Sequence, residues 1–384
     1  MLFYFNLFFF KIIGLVPWNT DIYQIFSNKI HNYQIYPFEV SKCGLIYNVL
    51  LMITMFTYTA VGLMLELWEQ HFIDSVIVKT IDKILKLCGI ILILTVWFIY
   101  ILQQKTIVDI LNKLYQINNG LKNCKKYKFD TNYYIYFISF GNIIMCFSVI
   151  LLEFFIDSII TFLLWATPFI VGSSVLIQYT LLINIILQIF KSINKTILKL
   201  GNVRTENEIR TLFFTKVLIG EYIVRDINIL HYSHIKLSEI CSDVSDFYAF
   251  PTLLTIIYFI TTATYNLHFM IESLITNSDQ VLLALYSVCS VWFLAVFVDF
   301  AVLTTSVTRI TREFNQTSHC IILFSNQCKM ESITKNALDE FLNSLLHLNL
   351  EFTTYGVIDL NGFLLQTIVG TIVTYLIILS QFRS

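Results

Sequence analysis

An all-α membrane protein with seven transmembrane helices is the fold this sequence predicts, on three observations. The 384-residue chain is 57% hydrophobic and only 13% charged, about half the charged share of an ordinary soluble domain. Seven stretches reach about the twenty apolar residues that a bilayer requires: 44–65, 84–104, 133–156, 161–190, 247–271, 281–305 and 357–382. Basic residues crowd into alternate connections, with 21 of the 25 Lys and Arg before the first span and in 105–130, 191–244 and 306–350. The positive-inside rule makes those segments cytoplasmic. The N-terminus is then cytoplasmic and, after seven crossings, the C-terminus extracellular. A net charge of −1 hides that asymmetry and supports no nucleic-acid partner.

The elements follow in order. Residues 1–43 form a cytoplasmic N-terminal segment; Met1 to Phe10 are apolar but lack the basic flank and small-residue cleavage site of a signal peptide. Residues 44–305 form a six-helix transmembrane bundle. Its outer loops at 157–160 and 272–280 are short, so the soluble mass lies inside. In 216–246, Val217, Leu218, Tyr222, Ile223, Ile227, Leu230 and Ile235 keep helical spacing among charged residues, which extends the fourth and fifth helices into the cytoplasm through 191–246. Residues 306–356 form a cytoplasmic loop, and Ala337 to Leu350 read as an amphipathic anchor helix. These helices either pack within one chain beneath the membrane or build a platform between subunits, since exposed apolar faces mark contacts.

Residues 357–384 carry the seventh helix. There Thr367, Thr371, Thr374, Ile378 and Gln381 fall on one helical face. A polar stripe on an apolar span faces water or protein, because lipid cannot satisfy an amide. Alternatively, the threonines bond back to carbonyls one turn earlier and Gln381 sits at the headgroup boundary.

The same helix ends Thr374-Tyr375, five mostly apolar residues, then Gln381-Phe382. That spacing resembles the signature of the last transmembrane helix of insect gustatory receptors. Lys11 to Trp18 resembles the opening of that family, His231 to Phe250 its approach to the fifth helix, and Asp359-Leu360-Asn361 its approach to the last. The resemblance implies a tetrameric ligand-gated, non-selective cation channel of the plasma membrane of chemosensory neurons. A small-molecule tastant would open it, and homo- or heteromeric subunits would each lend the last helix to one pore. Gln381 and Phe382 match the outer gate, and Thr374 and Tyr375 match the pair behind it; on the spacing of the stripe, Ile378, Thr371 and Thr367 would line the same pore. Sugar-sensing members carry Glu directly after Thr-Tyr; here Leu376 stands there, which disfavours that branch. A gate of Gln381 and Phe382 stops ions by dewetting. With no acid in 362–382, little selectivity among cations follows. Asp359 either concentrates cations at the inner mouth or caps the helix.

A ligand site belongs between helices in the outer half of the bundle. There Trp165, Thr167, Tyr258, Thr262, Tyr265, His268, Tyr286, Ser290 and Trp292 supply aromatic faces beside hydrogen-bonding groups; each aromatic also reads as packing or an interfacial anchor. Pro168 is expected to kink the fourth helix and open space beside Trp165. Asp299, well inside the sixth span, needs a partner or water. It reads as a gating contact, a vestibule charge or a hydrogen-bonded packing residue. The eight cysteines fall in spans or inner loops and are expected to be reduced. His319, Cys320 and Cys328 lack zinc spacing, so neither metal nor cofactor is expected. The sequons at Asn194 and Asn315 lie inside and should carry no glycan.

Other classes fit less well. A G-protein-coupled receptor has the opposite orientation, and neither Asp-Arg-Tyr after the third span nor Asn-Pro-x-x-Tyr in the last occurs. A secondary transporter would show repeated halves with interrupted helices, yet there are 4 Pro and no visible repeat. No Gly-x-Ser-x-Gly points to an enzyme. An odorant-receptor-type channel of the same superfamily is the near alternative.

Overall fold

The computed structural model describes residues 2–20, 37–68, 76–129, 133–156, 159–201, 222–276, 281–327 and 330–381. Helices dominate, because within a bilayer each apolar run must satisfy its backbone groups internally. In chain order they are α1 (Leu2–Ile13), α2 (Lys42–Trp68), α3 (Val76–Leu102), α4 (Gln104–Leu121) and α5 (Tyr133–Ile156). There follow α6 (Ile159–Leu200), α7 (Tyr222–Thr276), α8 (Val281–Gln327), α9 (Ser332–Leu346) and α10 (Phe363–Gln381). Two small antiparallel sheets pair β1 (Trp18–Thr20) with β2 (Phe38–Val40) and β3 (Thr353–Thr354) with β4 (Ile358–Asp359). Among the described residues, α2, α3, α6, α7 and α8 are long and apolar enough to cross a membrane, and α5 and α10 carry the shorter apolar stretches 140–151 and 363–378. These seven coincide with the seven predicted spans, and the chain is a multi-pass helical membrane protein.

The central helix is α6, which packs against α8, α7, α5 and α3. Surrounded by other helices, it buries residues on every side, apolar ones such as Phe169, Val175, Ile183, Ile186, Phe190 and Ile193 and polar ones such as Ser173, Asn184 and Asn194. The outer helices differ. On α5 the exposed residues Phe137, Phe140, Ile144, Phe147 and Leu151 recur at helical spacing, a stripe suited to lipid tails. On α2, Ile46, Leu50, Ile53 and Phe56 do the same.

Helices α6, α7 and α8 run 42, 55 and 47 residues. At 1.5 Å per residue α7 is roughly 80 Å long, against about 30 Å of hydrocarbon, so its first half projects from one end of the bundle. Helix α6 runs past the predicted span 161–190 to Leu200, α7 begins well before 247 at Tyr222, and α8 continues past 305 to Gln327. Helix α4, read from sequence only as part of a basic loop, docks on α7 and β2 through buried Ile107, Ile110, Leu114 and Leu121.

The N-terminal segment is tied down by side-chain amides that stand in for backbone. Asn112 on α4 accepts from Phe38 N (3.2 Å) and donates to Phe38 O (2.9 Å). Gln104 donates to the Pro17 carbonyl, Asn48 to Gly14 O (2.8 Å) and Trp97 to Ile13 O (2.8 Å). The last three of these bonds satisfy carbonyls at and just beyond the end of α1 that its own helix leaves open.

Two boundaries differ from the sequence reading. The amphipathic helix expected over Ala337 to Leu350 runs instead over 332–346. The last helix begins at Phe363 rather than 357, because β3 and β4 intervene. Asp359 therefore lies in β4 opposite Thr353, not at the helix end. Asn361 does the capping: Phe363 N donates to its Oδ1 at 3.0 Å and Leu364 N to its backbone O at 3.1 Å. All seven described cysteines are free thiols.

Candidate functional site

The last helix has two unlike faces. Leu364, Ile368 and Ile372, at steps of four, are buried where α10 meets α7 and α8. Thr367, Thr374, Ile378 and Gln381 are exposed in the single chain and Thr371 is half-buried. Tyr375 is 53% exposed. Phe382 lies outside the described residues. The threonines also bond back, Thr367 to Phe363 O (3.1 Å), Thr371 to Thr367 O (2.8 Å) and Thr374 to Gly370 O (2.8 Å). The hydroxyl protons are thus used locally, while oxygen lone pairs and methyls remain on a face that the single chain leaves uncovered.

The nine ligand candidates divide among several places. Trp165 on α6 stacks on Tyr265 of α7, with centroids 6.1 Å apart and planes 13° from parallel. Trp292 on α8 is buried against Phe169 of α6 at 4.2 Å and edges a cleft of about 10 Å³ with Asn266, Met270 and Phe293, too small as it stands for a ligand. Thr262 is fully buried and its hydroxyl has no partner among the described residues. Tyr258 is buried, His268 half-buried and Ser290 exposed; the Tyr286 side chain lies outside the description. Thr167 belongs elsewhere, lining a cavity of about 320 Å³ with Ile12, Leu51, Tyr58 and Trp97. Pro168 sits inside a continuous α6, and α3 fits closely against it: a Cβ on Gly89 would lie 2.7 Å from Pro168 Cγ. The glycine lets α3 approach the proline ring.

Asp299 belongs to a buried polar cluster that spacing alone does not reveal. Asn142 on α5 donates to Ser173 Oγ on α6 at 2.6 Å, and Ser173 hydrogen-bonds the Asp299 carboxyl. One carboxyl oxygen, Oδ2, has no partner among the described residues. Asp299 is therefore held inside the bundle between α5, α6 and α8, not in an open vestibule.

A second network ties α6, α7 and α8 together toward the end of the bundle from which α7 projects. Thr317 on α8 donates to Asn194 Oδ1 (2.7 Å), and Asn194 donates to Glu313 O (2.9 Å). With its proton so used, Thr317 accepts from His234 Nε2 of α7 at 3.2 Å. The His234 ring is enclosed by Phe190, Phe314 and Phe341, at 5.0, 5.0 and 5.6 Å. His231, one turn earlier, stacks on Phe341 of α9 at 4.7 Å and bonds Ser344 Oγ at 2.8 Å. Asn194 is thus a buried network member, with no room for a glycan. The signal in the sequence is the polar set Asn194, His234 and Thr317 within otherwise apolar helical faces.

That network is sensitive to acid. Burial, helped by the neighbouring His231, lowers the His234 pKa to about 3; burial also lowers that of His231, against the pull of Glu340. The unfolded chain takes up these protons near pH 6.5. Stability is thus complete above about pH 6.5 and is lost as pH falls toward 3, by about 1.4 kcal/mol per unit for His234. Amide protection factors along 222–245 are expected to drop between pH 7 and pH 5, and His234→Phe to remove most of the difference. Equal protection at both pH values would refute this.

A family model described as 7tm chemosensory receptor matches residues 3–384. No curated protein matches the chain. Among solved structures, the chain is similar to the insect olfactory receptor OR5 from Machilis hrabei, at 12% identity and a TM-score of 0.65, over 99% of this chain and 97% of that one. At such identity the likeness shows a shared fold.

Proposed function

The chain belongs to the 7tm chemosensory receptor family, and from that premise we propose that it is a gustatory receptor acting as a ligand-gated, non-selective cation channel. Four subunits, identical or mixed with other gustatory receptor subunits, surround one pore in the plasma membrane of chemosensory neurons. A small-molecule tastant binds within the outer half of the bundle, near the Trp165–Tyr265 stack and Trp292. Its binding shifts the packing of α7 and α8 against α10. Ile378, Gln381 and Phe382 then widen from a constriction that excludes water to one in which the Gln381 amide coordinates passing cations. The cytoplasmic unit built from 191–246 and 306–356 anchors the subunits to one another, with the N-terminus on the same side.

The observation that carries this reading is the two-faced last helix. One stripe holds α10 to its own subunit, while Thr367, Thr374, Ile378 and Gln381 face outward, the arrangement expected when the cover is an aqueous pore and neighbouring copies. A second reading, an odorant-type channel of the same family, is favoured by the fold shared with an olfactory receptor. The spacing Thr374-Tyr375 to Gln381-Phe382 favours the gustatory side. Whole-cell current from cells expressing this chain, across sugars, alkaloids and amino acids, tests the proposal with Gln381→Ala beside the wild type. A ligand-evoked cation current altered by the substitution is expected. Silence at full surface expression, persisting on co-expression with other receptor subunits and with odorants added to the panel, would sink it.

A further inference from the structure

A cavity of about 230 Å³ lies where α1, β1, β2, α4 and α6 meet, at the end of the bundle from which α7 projects. Its walls are almost wholly apolar, including Phe10, Phe38, Leu111, Leu182 and Ile185. It is remote from the Trp165–Tyr265 stack, which sits at the other end of α6. The Trp18 indole lines it and is 3% exposed, yet its Nε1–H has no acceptor among the described residues. Buried indole N–H groups ordinarily find a partner, so this one marks where an acceptor belongs.

Water is a poor occupant, because a buried water needs two to four polar partners, the wall is overwhelmingly apolar, and the two amide side chains on it already have partners. Gln178 accepts from Tyr100 (2.5 Å) and donates to Leu15 O (3.1 Å), and Asn118 Oδ1 accepts from Tyr127 (3.0 Å). The volume falls below the roughly 300–1,000 Å³ of sites for whole small molecules, which fits part of a chain inserted from the bilayer. Exposed Lys11 and Lys105 stand within two residues of lining residues, suited to an anionic leaflet surface.

We propose that this cavity takes an acyl chain headed by an oxygen acceptor, with the Trp18 Nε1–H donating to that oxygen. A phospholipid ester of the adjoining leaflet and a free fatty acid share this chemistry. The test reads lipid contact and not current, so it stands or falls apart from the channel proposal. The full chain is reconstituted in nanodiscs with phosphatidylcholine bearing a photoactivatable acyl chain or, separately, with a free fatty acid bearing the same group, and labelled peptides are mapped by mass spectrometry. Labelling is expected on the peptides spanning 107–118 and 178–189. Trp18→Phe, which keeps the ring and removes the N–H, is expected to reduce it roughly three- to tenfold. Ile185→Trp, which fills the space, should abolish it. Labelling at the outward-facing Phe56 and Phe137, which are 63% and 76% exposed, should not change in either variant. Labelling by the free acid alone would keep the acyl site and assign its occupant to that source. Absence of label from both peptides with both probes, or labelling unchanged in both variants, would overturn the proposal.

Discussion

Gly44→Ala is expected to release the N-terminal segment from the bundle. A Cβ at this position would lie 1.9 Å from the Pro17 carbonyl oxygen and 2.5 Å from its carbon. Both are backbone atoms, which cannot swing aside as a side chain can. Either α2 shifts or residues 17–18 undock. Undocking strands the Gln104 amide, which donates to Pro17 O and reaches Ser41 O at 3.4 Å, and exposes Trp18. Overpacking costs about 1–3 kcal/mol, and an orphaned buried amide adds about 1–3 kcal/mol. The check is thermal melting in detergent together with amide exchange at 17–20 and 38–40. Both should respond strongly in Gly44→Ala. Gly120→Ala is the control, since nothing lies within 4 Å of a Cβ built there; melting that equals the control would refute the argument.

Ile368→Asp and Thr374→Asp, six residues apart on α10, are expected to fail in opposite ways. Ile368 is 5% exposed against the neighbouring helices. A carboxylate there has no partner and costs several kcal/mol to bury, so α10 leaves its seat. Surface protein should fall at least about tenfold, a loss that about 1.4 kcal/mol suffices to produce. Thr374 is exposed, and its hydroxyl donates back to Gly370 O on its own helix. Aspartate there leaves packing and expression near wild type. Under the proposed pore it places a ring of carboxylates in the ion path, so replacing external sodium by calcium should move the reversal potential positive relative to wild type. Equal surface expression of the two variants would contradict the two-faced account of α10. Unchanged selectivity in a well-expressed Thr374→Asp would contradict only the pore assignment.

The spans were legible because hydrophobic length is written residue by residue: each of the seven predicted runs coincides with a helix. Azimuth was not, because apolar runs do not say which neighbour a given face will meet. Thr167 and Trp165 are two residues apart, yet one lines the cavity with Leu51 and the other stacks on Tyr265. Helix α4 escaped notice although Ile107, Ile110, Leu114 and Leu121 keep helical spacing, because its lysines dominate a count made for topology. The start of α10 was misplaced for a different reason. Val357 and Ile358 are apolar, but they belong to a turn and strand, the turn carrying positive φ at Tyr355 (54°) and Gly356 (69°), a local geometry that hydropathy does not record.

The contact between Asn194, His234 and Thr317 joins Thr317 to residues 123 and 83 positions earlier in the chain, which sets an order of events during synthesis. Asn194 and His234 emerge early, on α6 and α7, but neither can complete its bonds until α8 has been translated through Thr317. Until then this end of the nascent bundle carries an unsatisfied amide and an imidazole beside exposed phenylalanines, the kind of surface that chaperones retain and proteases sample. Maturation of this protein is therefore gated by its own late residues. A stop or frameshift anywhere before 317 should yield a fragment that is cleared, not a shorter protein with partial function.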